Sequence, residues 1–167
     1  MTDISAHLRA VADAYRCAFT DRLASADGVP LAPQPERSWS LLQHTVHVHD
    51  TLHVTAMRLR RLLDEDDPRL SGVLIEAPRA DSDQQNPRLV LQSFLSAAEE
   101  LGEVVETLTR CDAWERTAVI GGQTVCAAEL VQTAIRDLSS HLDAIDPCRF
   151  AATRVTTPSV PASRPRR

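Results

Sequence analysis

The chain has 167 residues, 43% hydrophobic, 25% charged and 4% aromatic, a balance that suits one domain with a real core and excludes a disordered polar chain. All 18 basic residues are arginine, which excludes Schiff-base lysine chemistry and the lysine of a phosphate-binding loop. Residues 154–167 hold four of them and no acid, so the body carries 14 arginines against 23 acids, a net of −9 that would repel a phosphate backbone.

No nucleic-acid partner is therefore expected. No apolar run approaches the ~20 residues of a membrane span, and the N-terminus MTDISAHLRA lacks a basic-then-apolar leader, so no membrane association is expected either. Cys17, Cys111, Cys126 and Cys148 form no Cys-x-x-Cys pair, the pattern of reduced cytoplasmic thiols.

A first helix is predicted over 3–24, with Ile4, Leu8, Val11, Tyr15, Phe19 and Leu23 on one stripe. Asp27-Gly28 and then Pro30, Pro33 and Pro35 break the chain after it. A second helix spans 40–64. Ser40 followed by Gln43 makes a capping box, and Asp64-Glu65-Asp66-Asp67-Pro68 ends it. That acidic run opposes the helix dipole, so solvent is expected to screen it.

The connection 65–86 is polar, and 81–86 reads as a solvated loop. A third helix, 87–110, opens on Pro87 and carries the seam Leu91, Phe94, Ala98, Leu101, Val105 and Leu108. Residues 117–120 with Gly121-Gly122 suggest a small hairpin. A fourth helix is predicted over 124–146, with Thr124 as its N-cap. The expected fold is all-α, an antiparallel four-helix bundle with long crossovers over residues 1–153, followed by a disordered Pro/Arg tail over 154–167.

Four of the six histidines, His44, His47, His49 and His53, crowd the second helix. At 100° per residue, with His47 at zero, His44 falls near about +60°, His49 near about +200° and His53 near about +240°. The apolar centre set by Leu41, Val48, Leu52 and Leu59 lies near about +120°. The histidines thus divide into two pairs flanking the core stripe, and angles alone do not choose which pair meets a partner helix.

On the fourth helix His141 falls inside the stripe of Leu130, Ala134, Leu138 and Ile145, with Asp137 one turn earlier at its edge. That arrangement has two readings: a core histidine oriented by a carboxylate, or two ligands of one ion completed by a histidine from another helix. Residues at i and i+4 stack on one face, the separation that two ligands of a single ion require.

Trp39-Ser40, His47-Val48-His49-Asp50, Arg58, the run from Asp64 to Leu70, Trp114-Glu115-Arg116-Thr117, the Gly-Gly turn and the stretch from His141 to Ile145 together resemble the DinB/YfiT-like metalloenzyme superfamily over roughly residues 5–150. The resemblance implies a divalent ion, zinc or nickel, held by one histidine of the second helix and two ligands four apart on the fourth. Matched position by position, these are His47, Asp137 and His141. The middle ligand is often histidine; an acidic residue there resembles the mycothiol-dependent maleylpyruvate isomerase branch.

Three protein ligands on a tetrahedral ion leave one position open. The function so implied is a metal-dependent transferase or isomerase. It would join a low-molecular-weight thiol such as mycothiol, as cosubstrate, to a small electrophile. Arg58 and Arg116 would orient a carboxylate of thiol or substrate; Arg58 reads equally as an ion-pair partner within the bundle. Asp50 reads as a support for a ligand imidazole or as the partner of a neighbour, and His44 as a base or a half-exposed structural histidine. The resemblance also allows a homodimer. Two other readings remain open: a metal- or small-molecule-binding bundle without turnover, and a hydrolase that activates water on the metal.

Overall fold

The computed structural model describes residues 4–24, 39–72 and 85–145. Those residues form α1 (Ile4–Ala24), α2 (Leu41–Asp64), β1 (Arg69–Leu70), α3 (Pro87–Arg110), β2 (Thr117–Ile120), β3 (Gln123–Cys126) and α4 (Ala127–Ile145). The proline break after α1, residues 81–84 of the expected loop, Cys148 and the 154–167 tail lie outside the described residues.

The start of α2 follows its local chemistry. Ser40 Oγ accepts from the Gln43 amide at 3.1 Å, and Gln43 Oε1 accepts from the Ser40 amide at 2.9 Å. Two orphan amides are satisfied reciprocally, and Ser40 is fixed in extended backbone. Pro87 opens α3 behind Asn86, whose side chain accepts from the Arg88 amide at 3.0 Å.

The start expected for α4 needs correction. Gly121 and Gly122 take φ values of 58° and 86°, positive at both central positions as a two-residue turn of the right twist requires. The hairpin therefore continues to Cys126, with Thr124 paired to Val119 inside β3 rather than capping a helix. The helix begins at Ala127, and Glu129 Oε2 accepts from the Cys126 amide at 2.9 Å in the role of the N3 residue.

A second correction concerns the 65–86 connection, whose residues Arg69 and Leu70 form β1, parallel to β2. The sheet is thus three-stranded in the order β1-β2-β3. The acidic run is exposed to solvent, as expected, and arginines share in its neutralisation. Arg61 grips both Glu65 oxygens at 2.7 Å. Arg116 Nε donates to Leu62 O at 2.5 Å, and its Nη2 donates to Glu65 O at 2.8 Å and Asp66 Oδ1 at 2.9 Å. The last carbonyls of α2 are satisfied in this way.

α1 and α2 each lie against both α3 and α4. The apolar stripes meet in one core that includes Tyr15, Leu52, Leu59, Phe94, Leu101, Leu108 and Leu138. Leu23 is an exception to its predicted stripe and is exposed at the last turn of α1. A smaller cluster of Phe19, Leu42 and Val90 closes one end.

Contacts between helices fix their directions. Arg9 with Glu106 and Tyr15 with Phe94 set α3 antiparallel to α1. Tyr15 with Thr45, and Phe19 beside Leu42, set α2 antiparallel to α1 as well. α2 and α3 therefore run the same way, against the antiparallel order expected throughout. No helix among the described residues is long and apolar enough to cross a membrane.

Candidate metal centre

His44 meets His141, and Thr51 meets Asp137. As the number rises on α2 it falls on α4, so the helices are antiparallel and the early turns of α2 face the late turns of α4. This register brings together the three residues matched as ligands. His47 Nε2 lies 3.5 Å from Asp137 Oδ2, and His141 Nε2 lies 3.6 Å from Asp137 Oδ1. One ligand atom from each of the three lies within 4.8 Å of the other two.

Both separations exceed those of an ordinary N–H···O bond. Each runs to a different carboxylate oxygen and is close to the edge of a tetrahedron built on bonds of about 2.0–2.1 Å, about 3.4 Å, and one atom from each residue lies within 4.8 Å of the others. The two imidazoles are 13% and 14% exposed and the Asp137 side chain 32%. The cluster is therefore shielded and still reaches solvent through its carboxylate.

Electrostatics favour a ligating carboxylate. The His141 and His47 imidazoles hold the Asp137 carboxyl well below the usual carboxylate range, and Thr51 contributes in the same direction. Thr51 Oγ1 donates to Asp137 Oδ2 at 3.0 Å. It follows His47 by one helical turn, so the helix that supplies the first ligand also orients the second.

Two further residues border the cluster, His44, which the sequence offered as a base or a structural histidine, and Trp39. His44 Nδ1 is 2.7 Å from His141 Nδ1. Burial, and then the neighbouring His141 and His47, push the His44 pKa down to about 4, so its ring is neutral near pH 7. A neutral His44 that accepts the His141 Nδ1 proton leaves the His141 lone pair on Nε2, the atom facing Asp137; this is the tautomer that metal ligation needs.

Trp39 is the other. Its indole stacks on His141 at 5.4 Å and 10°, and touches the His47 ring at 4.9 Å and the His44 ring at 5.4 Å. Trp39 directly precedes the capping-box residue Ser40. The signal for His44 was its place on the His47 side of α2; Trp39 was legible only as part of a helix start.

Arg58 and Arg116 are not brought to this cluster. Arg58 donates to Ser71 O at 3.2 Å, three turns and about 16 Å further along α2 than His47. Arg116 caps the far end of α2 at Leu62, about 22 Å along from His47. Asp50 pairs with its neighbour His49 at 2.8 Å and supports no residue of the cluster.

Two imidazoles and one carboxylate combine borderline nitrogen donors with one hard oxygen donor, a set that suits zinc, nickel or a similar divalent ion. The residues present fit such an ion. Comparison with family models, with curated proteins and with solved structures returns no match for the chain.

Proposed function

We propose that the chain is a four-helix bundle of the DinB/YfiT-like kind that binds a divalent ion through His47, Asp137 and His141. It would use that ion in thiol-dependent transfer or isomerisation of a small electrophile, with a mycothiol-type thiol as cosubstrate. The observation that carries the reading is the convergence of the three side chains, from two antiparallel helices, at 3.5 and 3.6 Å. The three cysteines among the described residues are free thiols, in keeping with a reducing cytoplasmic setting.

When bound, the divalent ion supplies a positive centre that lowers a thiol's pKa and favours its thiolate. The chain's own residues prepare for this. Asp137 contributes one negative charge, so the three-ligand set offsets half of a divalent charge and leaves the remainder for an anionic ligand. Thr51 fixes the carboxylate's orientation, and His44 takes the His141 Nδ1 proton in a hydrogen bond. Trp39 covers the imidazoles on one side and excludes water there.

One observation favours a second reading, a metal-binding bundle without turnover. Arg58 and Arg116, the groups expected to orient a substrate carboxylate, are held by Ser71 O and by the end of α2.

Metal analysis of protein purified without chelator, followed by thiol-dependent assays over a panel of electrophiles, tests the proposal. About one ion per chain is expected at this centre, lost from it in His141→Ala and weakened in Asp137→Asn, with helical content unchanged in both. Retention of the parent's metal content by both variants would defeat the metal assignment. A metal-loaded parent without any thiol-dependent turnover favours the second reading.

A further inference from the structure

The outer pair of histidines on α2 remains without a role in that site. His49 and His53 are one turn apart on the same face, with rings parallel to within 3° and centroids 6.1 Å apart. Their side chains are 32% and 46% exposed. Each is held by a carboxylate through the same ring atom: His49 Nδ1 lies 2.8 Å from Asp50 Oδ1, and His53 Nδ1 lies 3.1 Å from Glu100 Oε2 on α3. Arg60 pairs with the other Glu100 oxygen, Oε1, and so fixes the carboxylate.

We propose that His49 and His53 form a second site, on the surface of the α2–α3 pair, for a borderline divalent transition ion, with Asp50 and Glu100 as the supports of the two ligand rings. The argument rests on tautomers and spacing. A neutral imidazole that donates Nδ1–H to a carboxylate carries its lone pair on Nε2. Both rings therefore present Nε2 as the free donor atom, and both have the carboxylate–histidine support that metal-bound histidines characteristically show. Histidines at i and i+4 reach one ion from one face of a helix. Closing on the ion requires the two rings to tilt toward each other about χ2, a broad, soft torsion for histidine, and half-exposed rings are free to do so. Two imidazoles with water in the remaining positions suit copper(II), nickel(II) or zinc(II) rather than magnesium or calcium. Because Glu100 belongs to α3, an ion held on α2 also reinforces the contact between these two parallel helices.

The test is a Ni²⁺ titration of metal-stripped full chain, in the His141→Ala background so that the inner cluster does not contribute. One equivalent is expected to bind and to raise the thermal midpoint of unfolding. Adding His49→Ala or His53→Ala, at a partly exposed and an exposed position, should abolish this binding. Adding Glu100→Gln should weaken it about 10–100-fold with the stoichiometry unchanged. The idea is overturned if His141→Ala binds no Ni²⁺, or if both added alanine variants bind as His141→Ala does. A failure of the inner centre reads differently, since the unsubstituted chain and His141→Ala would then bind alike.

Discussion

The two sides of α2 carry the same side chain in opposite settings. His44 and His47 face α4 beneath the Trp39 indole, where His47 lies beside Asp137 and His44 beside His141. His49 and His53 face outward along α3, each with a carboxylate of its own. Inside, shielding pushes the His44 pKa down and lets one anion serve two imidazoles. Outside, water and an arginine share the work, as with Arg60 at Glu100. Burial, rather than histidine itself, thus separates a shared, shielded donor set from two supported single donors.

The comparison is sharpened most by His44→Phe, which keeps a ring beside Trp39 and removes the acceptor for His141 Nδ1–H. Metal affinity at the inner cluster should fall about 10–100-fold, with Ni²⁺ binding at the outer pair unchanged; calorimetric titration measures both. Equal losses at the two sites would show that they are not independent.

Arg116→Ala separates folding from chemistry. It removes three hydrogen bonds at and just beyond the end of α2, to Leu62 O, Glu65 O and Asp66 Oδ1, and should cost about 1–3 kcal/mol of stability in urea unfolding. Metal content of the folded protein should not change. A selective loss of metal or turnover would return Arg116 to the site.

The dry side has a pH signature through Tyr15, whose hydroxyl lies 3.2 Å from Thr45 Oγ1. Burial raises its phenol well above the ordinary value. The neutral form is therefore favoured in the folded chain. Its contribution is complete below the unfolded pKa of about 10 and is lost as pH rises above it. Stability should fall above that pH, and Tyr15→Phe should flatten this limb in a denaturation series.

The smallest effect belongs to the wet side. Arg60→Ala breaks a half-exposed ion pair with Glu100 and should change stability by less than about 1 kcal/mol. A larger loss would mean that the α2–α3 surface contributes more to the fold than its exposure implies.

Much of this was legible locally. Ser40 with Gln43, and Pro87 at the start of α3, signalled their helices because a cap is settled by residues within one turn. Gly121-Gly122 marked the turn for the same reason. Thr124 misled because the hairpin register carries the strand past it to Cys126. Arg69 and Leu70 carried no strand signal of their own, since a two-residue parallel strand exists only against β2.

By itself, the sequence determined the helices, their apolar faces, the division of the four α2 histidines into two pairs and the stacking of Asp137 with His141, since all of these follow from spacing along one helix. Only the tertiary structure decided that α2 and α3 run parallel, that α4 opposes α2, and that His44 and Trp39 complete the inner cluster. An apolar stripe buries equally well against a neighbour running in either direction. The partner of a side chain across a helix interface therefore depends on direction and register, which no single helix encodes.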